Sequence, residues 1–280
     1  MTPPEPPRTK DVVPGVFSRH AEAYRDRLLA AVGRGEARGR TRVVELLRPR
    51  PGQRVLDVGC GPGVLTLPLA GAVGPEGMVL GVDLAEGMLA LARAAAPPHV
   101  GLARMDMEAL GVRDGAFDAA GAGHSLQFCP DLDRALAEIR RALRAGGRFA
   151  ASVPGGGATG EARRVLDEVF DRRLPVPPEP VDSRATRALV RDPDRLADAV
   201  ARAGFGDVSV ERVEETTTYR DPAELVAMSL GWWICAWRLE AVPEPERAAV
   251  RGEAVRVLRD RFGDGPVSLP GASVVVAAGG

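Results

Sequence analysis

From Arg54 onward, short apolar runs alternate with amphipathic stretches. The runs Arg54 to Val58, Met78 to Val82, Val100 to Met105, Phe117 to Ala122 and Arg148 to Val153 have strand length and are flanked by turn residues, which predicts buried β-strands. Between them the apolar period becomes helical. The clearest helix is Leu132 to Arg144, with Leu132, Ala135, Leu136, Ile139 and Leu143 on one face and a left-handed cap expected at Gly146-Gly147. Another starts at Asp192-Pro193, as N-cap then first helical residue, and stops at Gly204. Strand-helix alternation of this kind predicts an α/β fold, a parallel sheet with helices on both faces. Asp207 to Tyr219 and Ala272 to Ala277 supply two last strands, expected as an antiparallel pair.

Four regions fall outside this alternation. The first 14 residues hold five prolines and show no apolar periodicity, which predicts a mobile tail. Helical signal begins near Val16, and two helices are expected up to Leu47, broken near Gly33 to Gly35. Gly155 to Arg191 contains one helical segment, Glu161 to Phe170, and a proline-rich loop from Pro175 to Pro180. Pro222 to Phe262 reads as two helices, the first opened by Asp221-Pro222. The expected organisation is a tail over 1–15, a helical lid over 16–50, and one α/β domain over 51–280 with cap insertions at 155–191 and 221–265. The caps are expected to form walls and a lid over the sheet edge.

Composition narrows the function classes. A formal net charge of −1 and a pI near 6.4 leave no electrostatic footprint for nucleic acid or an anionic membrane. Lys10 is the single lysine among 37 basic residues, a usage that fits the codon bias of a GC-rich genome. Cys60, Cys129 and Cys235 are unclustered, and His20, His99 and His124 lack ligand spacing with them, so neither a disulfide framework nor a metal site is expected. No apolar run approaches the roughly 18 residues a membrane span requires, and Met1 to Pro14 is unlike a signal peptide. A cytoplasmic protein is expected, monomeric or homodimeric, with a small-molecule partner.

The run Val55-Leu-Asp-Val-Gly-Cys-Gly-Pro-Gly63 is a strand that breaks on glycines and opens a helix. Such a turn lets backbone amides lie against a charged, nucleotide-like ligand. Asp83 closes the next strand, where a carboxylate can accept hydrogen bonds from two ribose hydroxyls. The spacing Gly59-x-Gly61-x-Gly63 differs from the G-x-G-x-x-G of dinucleotide-binding folds.

With Asp57 two residues before the first glycine, this run resembles motif I of the class I S-adenosylmethionine-dependent methyltransferases, (V/L)-L-D-(V/L)-G-C-G-x-G. Val79-Leu-Gly-Val-Asp83, followed by Leu84 and Met88, resembles the second motif, and Met105-Asp-Met-Glu-Ala-Leu110 resembles G-D-A-E-x-L. Methionine replaces glycine and alanine around Asp106. Gly123-His-Ser-Leu-Gln-Phe-Cys-Pro-Asp131 resembles the fourth-strand segment of the family's small-molecule, quinone-methyltransferase-like branch. Leu143-Arg-Ala-Gly-Gly147 resembles its L-(R/K)-P-G-G turn, and Val16 to Tyr24 its N-terminal F-(D/S)-R-x-A-x-x-Y lid segment.

The resemblance implies a Rossmann-like sheet of seven strands, the last antiparallel. It implies S-adenosylmethionine as cofactor and S-adenosylhomocysteine as product. The implied cofactor set is Tyr24, Asp57, Gly59, Cys60, Gly61, Gly63, Asp83, Leu84, Met88, Asp106, Met107 and Gly123. In it Asp57 orients the glycine loop, Asp83 holds the ribose, and Asp106 accepts from the adenine amino group. No metal is required, because methyl leaves a sulfonium by in-line displacement; the enzyme must position the acceptor, exclude water and remove its proton.

His124 is the first candidate base, since it follows the fourth strand and titrates near neutrality; a loop histidine that bonds backbone or lines the pocket is the alternative. His20, four residues before Tyr24, is the second. Gln127 orients an acceptor or caps the following helix. Phe17 and Phe128 are candidate acceptor contacts. Trp232, Trp233 and Trp237 crowd one cap helix and serve either as core or as a surface for a lipophilic or aromatic acceptor. The leading expectation is O-, C- or N-methylation of a small biosynthetic intermediate. A cyclase or other non-methylating enzyme that binds the same cofactor is the alternative, and a non-catalytic binding protein the third.

Overall fold

The structure is a computed structural model, which describes residues 7–156, 160–176 and 180–280. The chain opens with three helices, α1 (Thr9–Arg19), α2 (Ala21–Gly33) and α3 (Arg38–Leu47). It then alternates through β1 (Arg54–Val58), α4 (Thr66–Val73), β2 (Met78–Asp83), α5 (Glu86–Ala95), β3 (Val100–Arg104), β4 (Phe117–Gly123), α6 (Leu132–Ala142) and β5 (Leu143–Pro154). The first insertion carries α7 (Glu161–Arg173) and α8 (Arg184–Leu189), followed by α9 (Pro193–Arg202) and β6 (Gly206–Tyr219). The second carries α10 (Pro222–Leu230), α11 (Trp233–Glu240) and α12 (Glu244–Phe262), before β7 (Val267–Gly279).

One sheet of seven strands results, in the order β3-β2-β1-β4-β5-β7-β6. The first five strands pair in parallel, and β7 runs antiparallel between β5 and β6. The order reverses between β1 and β4, so a crevice opens at their carboxyl ends, where open α/β sheets bind ligands.

Alternation along the strands sorts residues to two cores. Leu56, Val58, Ala120, Phe149, Val274 and Val276 face α6 and α9. Val55, Ala119, Ala150 and Val275 face α3 and α4. A third cluster joins α7, α10, α11 and α12 to the outer ends of β6 and β7.

The structure corrects several boundaries. Residues 9–15 are not tail but the first turns of α1, which runs through Pro14. Thr9, Val13 and Val16 are its buried face, and Asp182 accepts the Thr9 backbone N–H at 3.0 Å, a cap supplied from the first insertion. Three helices rather than two precede β1, because the chain breaks at His20 as well as after Gly33. The α6 helix ends at Ala142, since Leu143 already pairs with Phe117 in the sheet; Gly146, at φ 71°, turns within the entry to β5 instead of capping a helix. The second insertion has three helices, with Trp232 capping α11 rather than lying inside it. Part of the proline-rich loop, 177–179, lies outside the described residues.

Candidate active site

At the carboxyl ends of β1, β2 and β4 lies a cavity of about 120 Å³. Eleven of the twelve residues implied as cofactor contacts line it, from Tyr24 and Asp57 through Gly59, Cys60, Gly61, Asp83, Leu84, Met88, Asp106 and Met107 to Gly123. Gly63 does not. Its backbone, at φ 92°, closes the turn by donating to the Cys60 carbonyl at 3.1 Å.

The glycine loop has a reason at each glycine. A Cβ on Gly59 would overlap the Ser125 side chain, which packs there because its hydroxyl donates to the Val58 carbonyl at 2.7 Å. Gly61, at φ 54°, has open space where its side chain would stand, so a ligand can approach the backbone. The carboxylate that orients this loop is Asp83, not Asp57. Asp83 accepts the Gly61 N–H at 2.9 Å with Oδ2 and the Ala85 N–H at 2.8 Å with Oδ1. Burial raises its pKa, and those backbone donors hold it back.

Asp57 shares a strand face with Val55 and is fully buried under α4. Its Oδ2 accepts from the Thr66 hydroxyl at 2.6 Å, while Oδ1 has no protein partner among the described residues. Burial pushes its pKa up to about 7, with Thr66 opposing. An orphaned buried carboxylate oxygen on a cavity wall is costly unless a donor arrives from the ligand.

Asp106 is held from above by α1. Lys10 Nζ reaches Asp106 Oδ2 at 2.7 Å and Glu108 Oε2 at 2.5 Å, and Asp106 Oδ1 accepts the Glu108 N–H at 2.9 Å. Lys10, Val13 and Pro14 line the cavity, so residues expected as tail form part of its wall.

His124 also lines the cavity, at φ 57° in the left-handed region, an unusual conformation for a residue with a Cβ. Its Nε2 lies 2.9 Å from the Ser273 hydroxyl. Burial, helped by the nearby Arg40 charge, drives its pKa well below the ordinary 6.5, so the ring is neutral. Arg40 lines the same wall from α3, and among the described residues no hydrogen bond or ion pair engages its guanidinium. Sequence reasoning missed Arg40 and Ser125. Nothing in the run of α3 distinguishes Arg40 from its arginine neighbours; its side chain reaches the pocket by lying over Gly123, where an added Cβ would stand at ordinary contact distance, 3.6 Å from the Arg40 Cγ.

Other candidates sit elsewhere. His20 is turned to Glu240, 2.8 Å away, beside the Arg19–Glu240 pair and off the cavity. Gln127 neither lines the cavity nor caps α6: its amide donates to the His124 carbonyl at 2.8 Å, and Asp131 is the cap. Phe17 and Phe128 do line the cavity and stack edge-on at 5.5 Å. Behind them stands the cap. Trp233 packs on both rings and lies nearly parallel to Trp237 at 6.5 Å, while Trp232 meets Tyr24 at 5.8 Å. Among the described residues of 155–191 and 221–265, none lines this cavity, so the caps buttress its wall rather than form it.

A seven-stranded sheet of this order, with a glycine loop after β1 and acidic residues closing β2 and following β3, defines a class of methyl-transferring enzymes. The chain belongs to the class I S-adenosylmethionine-dependent methyltransferases. Residues 56–151 match the family model described as a methyltransferase domain. The chain is 32% identical over 243 residues to nocamycin O-methyltransferase of Saccharothrix syringae, covering 81% of this chain and 85% of that protein. It is 36% identical over 153 residues to demethylmenaquinone methyltransferase of Symbiobacterium thermophilum, covering 52% of this chain and 61% of that one. Phosphoethanolamine N-methyltransferase 2 of Haemonchus contortus, solved with phosphomonomethylethanolamine and S-adenosylhomocysteine, shares the fold with a TM-score of 0.52 at 20% identity; 86% of this chain and 52% of that one align.

The cofactor is S-adenosylmethionine, and the residues present fit it. Asp57 Oδ1 lacks a donor, the Gly61 backbone is open, and the Asp83 oxygens keep free lone pairs beside their backbone partners. No helix is long and apolar enough to cross a membrane among the described residues.

Proposed function

We propose that the enzyme methylates a hydroxyl of a small lipophilic or aromatic biosynthetic intermediate, with His124 as the base. The observation that carries this reading is a neutral imidazole on the wall of the cofactor cavity, a cavity that the apolar rings of Phe17 and Phe128 also line. The likeness to an O-methyltransferase over 85% of that relative supports oxygen as the acceptor atom.

Bound S-adenosylmethionine supplies a methyl group on a positively charged sulfur, which departs as S-adenosylhomocysteine. Asp83 would hold the ribose hydroxyls, and Asp106 and Met88 the adenine. Asp57 Oδ1 would accept from the cofactor's ammonium, and Arg40 would face its carboxylate. His124 takes the acceptor's proton as the new carbon–oxygen bond forms, leaving imidazolium, methyl ether and thioether. Around the reacting atoms the Phe17, Tyr24 and Phe128 rings exclude water.

The test is turnover of S-adenosylmethionine with a panel of hydroxylated quinones and aromatic polyketides, followed by mass spectrometry of the acceptor. A mass gain of one methyl, with S-adenosylhomocysteine in equal amount, is expected. Acceptor conversion without S-adenosylhomocysteine would make the enzyme a non-methylating catalyst of the same fold.

A further inference from the structure

Three segments distant in sequence meet behind His124. Ser273 of β7, fully buried, holds its hydroxyl oxygen 2.9 Å from His124 Nε2. The same hydroxyl donates to Glu215 Oε1 of β6 at 3.0 Å, and the Gly39 N–H of α3 donates to that oxygen at 2.6 Å. The elements are crowded together here. A Cβ on Gly39 would overlap the Ser273 side chain, so glycine at 39 is what lets α3 close over the cluster.

Proton counting fixes the direction of every bond. A serine hydroxyl has one hydrogen, and an ionised carboxylate can only accept. Ser273 therefore gives its hydrogen to Glu215 and can only accept from His124. The imidazole must then carry its proton on Nε2, which leaves Nδ1 with a lone pair. Among the described residues Nδ1 has no hydrogen-bond partner and is not one of the occluded polar atoms, and the residue lines the cavity.

From this we infer that Ser273 and Glu215 are positioning residues that lock His124 in its Nε2–H tautomer, with the basic Nδ1 turned to the methyl acceptor. The relay Glu215–Ser273–His124 does for this ring what a carboxylate does directly in hydrolase triads: it selects one tautomer and holds the ring plane. It explains why a histidine accepts a left-handed backbone, since the ring must leave the end of β4 toward β7 to be held. The inference rests on His124 being the base, but its test does not.

The full chain, labelled with 15N-histidine, contains three imidazoles, and long-range proton–nitrogen correlation assigns each tautomer without acceptor or turnover. Wild-type His124 is expected as the Nε2–H form. Ser273→Ala is expected to give a mixture of tautomers, and Glu215→Ala to shift the ring toward Nδ1–H, because the freed serine hydrogen can then turn to Nε2. Both variants should bind S-adenosylhomocysteine as wild type does in calorimetry, showing that they fold. With an acceptor in hand, Ser273→Ala should lower kcat roughly tenfold at unchanged KM. A wild-type Nδ1–H ring, or variants that leave the tautomer unchanged, would overturn the relay. If the tautomer is as stated but His124→Ala retains full turnover, the relay stands and the base assignment falls.

Discussion

Two side chains on the cavity wall titrate in inverted order. Asp57 is pushed up to about 7, whereas His124 is driven well below 6.5, both chiefly by burial. The folded protein therefore binds more protons at Asp57 than the unfolded chain between pH 3.8 and about 7. Stability of the ligand-free protein from this group is lost as pH rises through that window. A cationic ammonium beside Asp57 reverses the preference. Affinity for S-adenosylhomocysteine is expected to rise from pH 5 to pH 7 with proton release, measurable by calorimetry in buffers of different ionisation enthalpy. Asp57→Asn should flatten that dependence; an unchanged slope would remove Asp57 from the cofactor site. By contrast kcat should hold from pH 7 to below 6.5, since His124 stays unprotonated there. The two aspartates and the histidine also separate by substitution. Asp83→Ala should cost about 1–3 kcal/mol of cofactor affinity, while His124→Ala should leave affinity intact and lower turnover. Equal, small effects in binding and rate assays would place the pocket elsewhere. The aspartates and glycines here were legible in the sequence because backbone-ligand contact demands those residue types at that spacing. Arg40, Ser125 and Ser273 were not, because what makes them matter is a glycine or a strand brought beside them by the fold.

Among the elements, α1 departs furthest from expectation. Its local sequence argues against helix, with Pro14 inside and prolines before it, and tertiary contacts override that preference. Asp182 caps its start, Lys10 ties its first turn to Asp106 and Glu108, and its last turn lies on Gly87 of α5, where an added Cβ would come within 2.8 Å of the Ser18 Cα. Burial draws the Lys10 pKa down, but its two carboxylate partners outweigh that and keep it raised. Lys10→Ala removes the ion pairs that tie α1 to Asp106 and Glu108 on the cavity wall. Hydrogen exchange over residues 9–19 is expected to quicken, with exchange in β1 and β4 unchanged. Equal exchange in the variant would mean that capping and packing alone hold the helix. Helices with strong signals of their own, such as α9 with Asp192 and Pro193 at its start, were readable without any of this.

Taken as a whole, the molecule is a sheet whose carboxyl edge is closed from two sides, by α1 and α2 directly and by the caps through aromatic rings. The strand segments and the two insertions were legible in apolar periodicity and turn residues, which act locally; the order of the strands is not written there. The packing of Trp233 against Phe17 and Phe128 joins residues over 100 positions apart and leaves no local trace. Trp233→Ala should destabilise the protein by about 2 kcal/mol through lost ring contacts and raise KM for the acceptor more than for the cofactor. Equal KM shifts would show that the rings serve both ligands alike. The antiparallel β7 has a consequence for how the protein is made. Among the described residues its sheet partners are β5 and β6 alone, and β6 has no other than β7. As the chain leaves the ribosome, β6 must wait, unpaired, until some 60 later residues have emerged and β7 slides in beside it. A nascent chain can thus assemble the glycine loop early, whereas Ser273 reaches His124 only after synthesis has passed through β7.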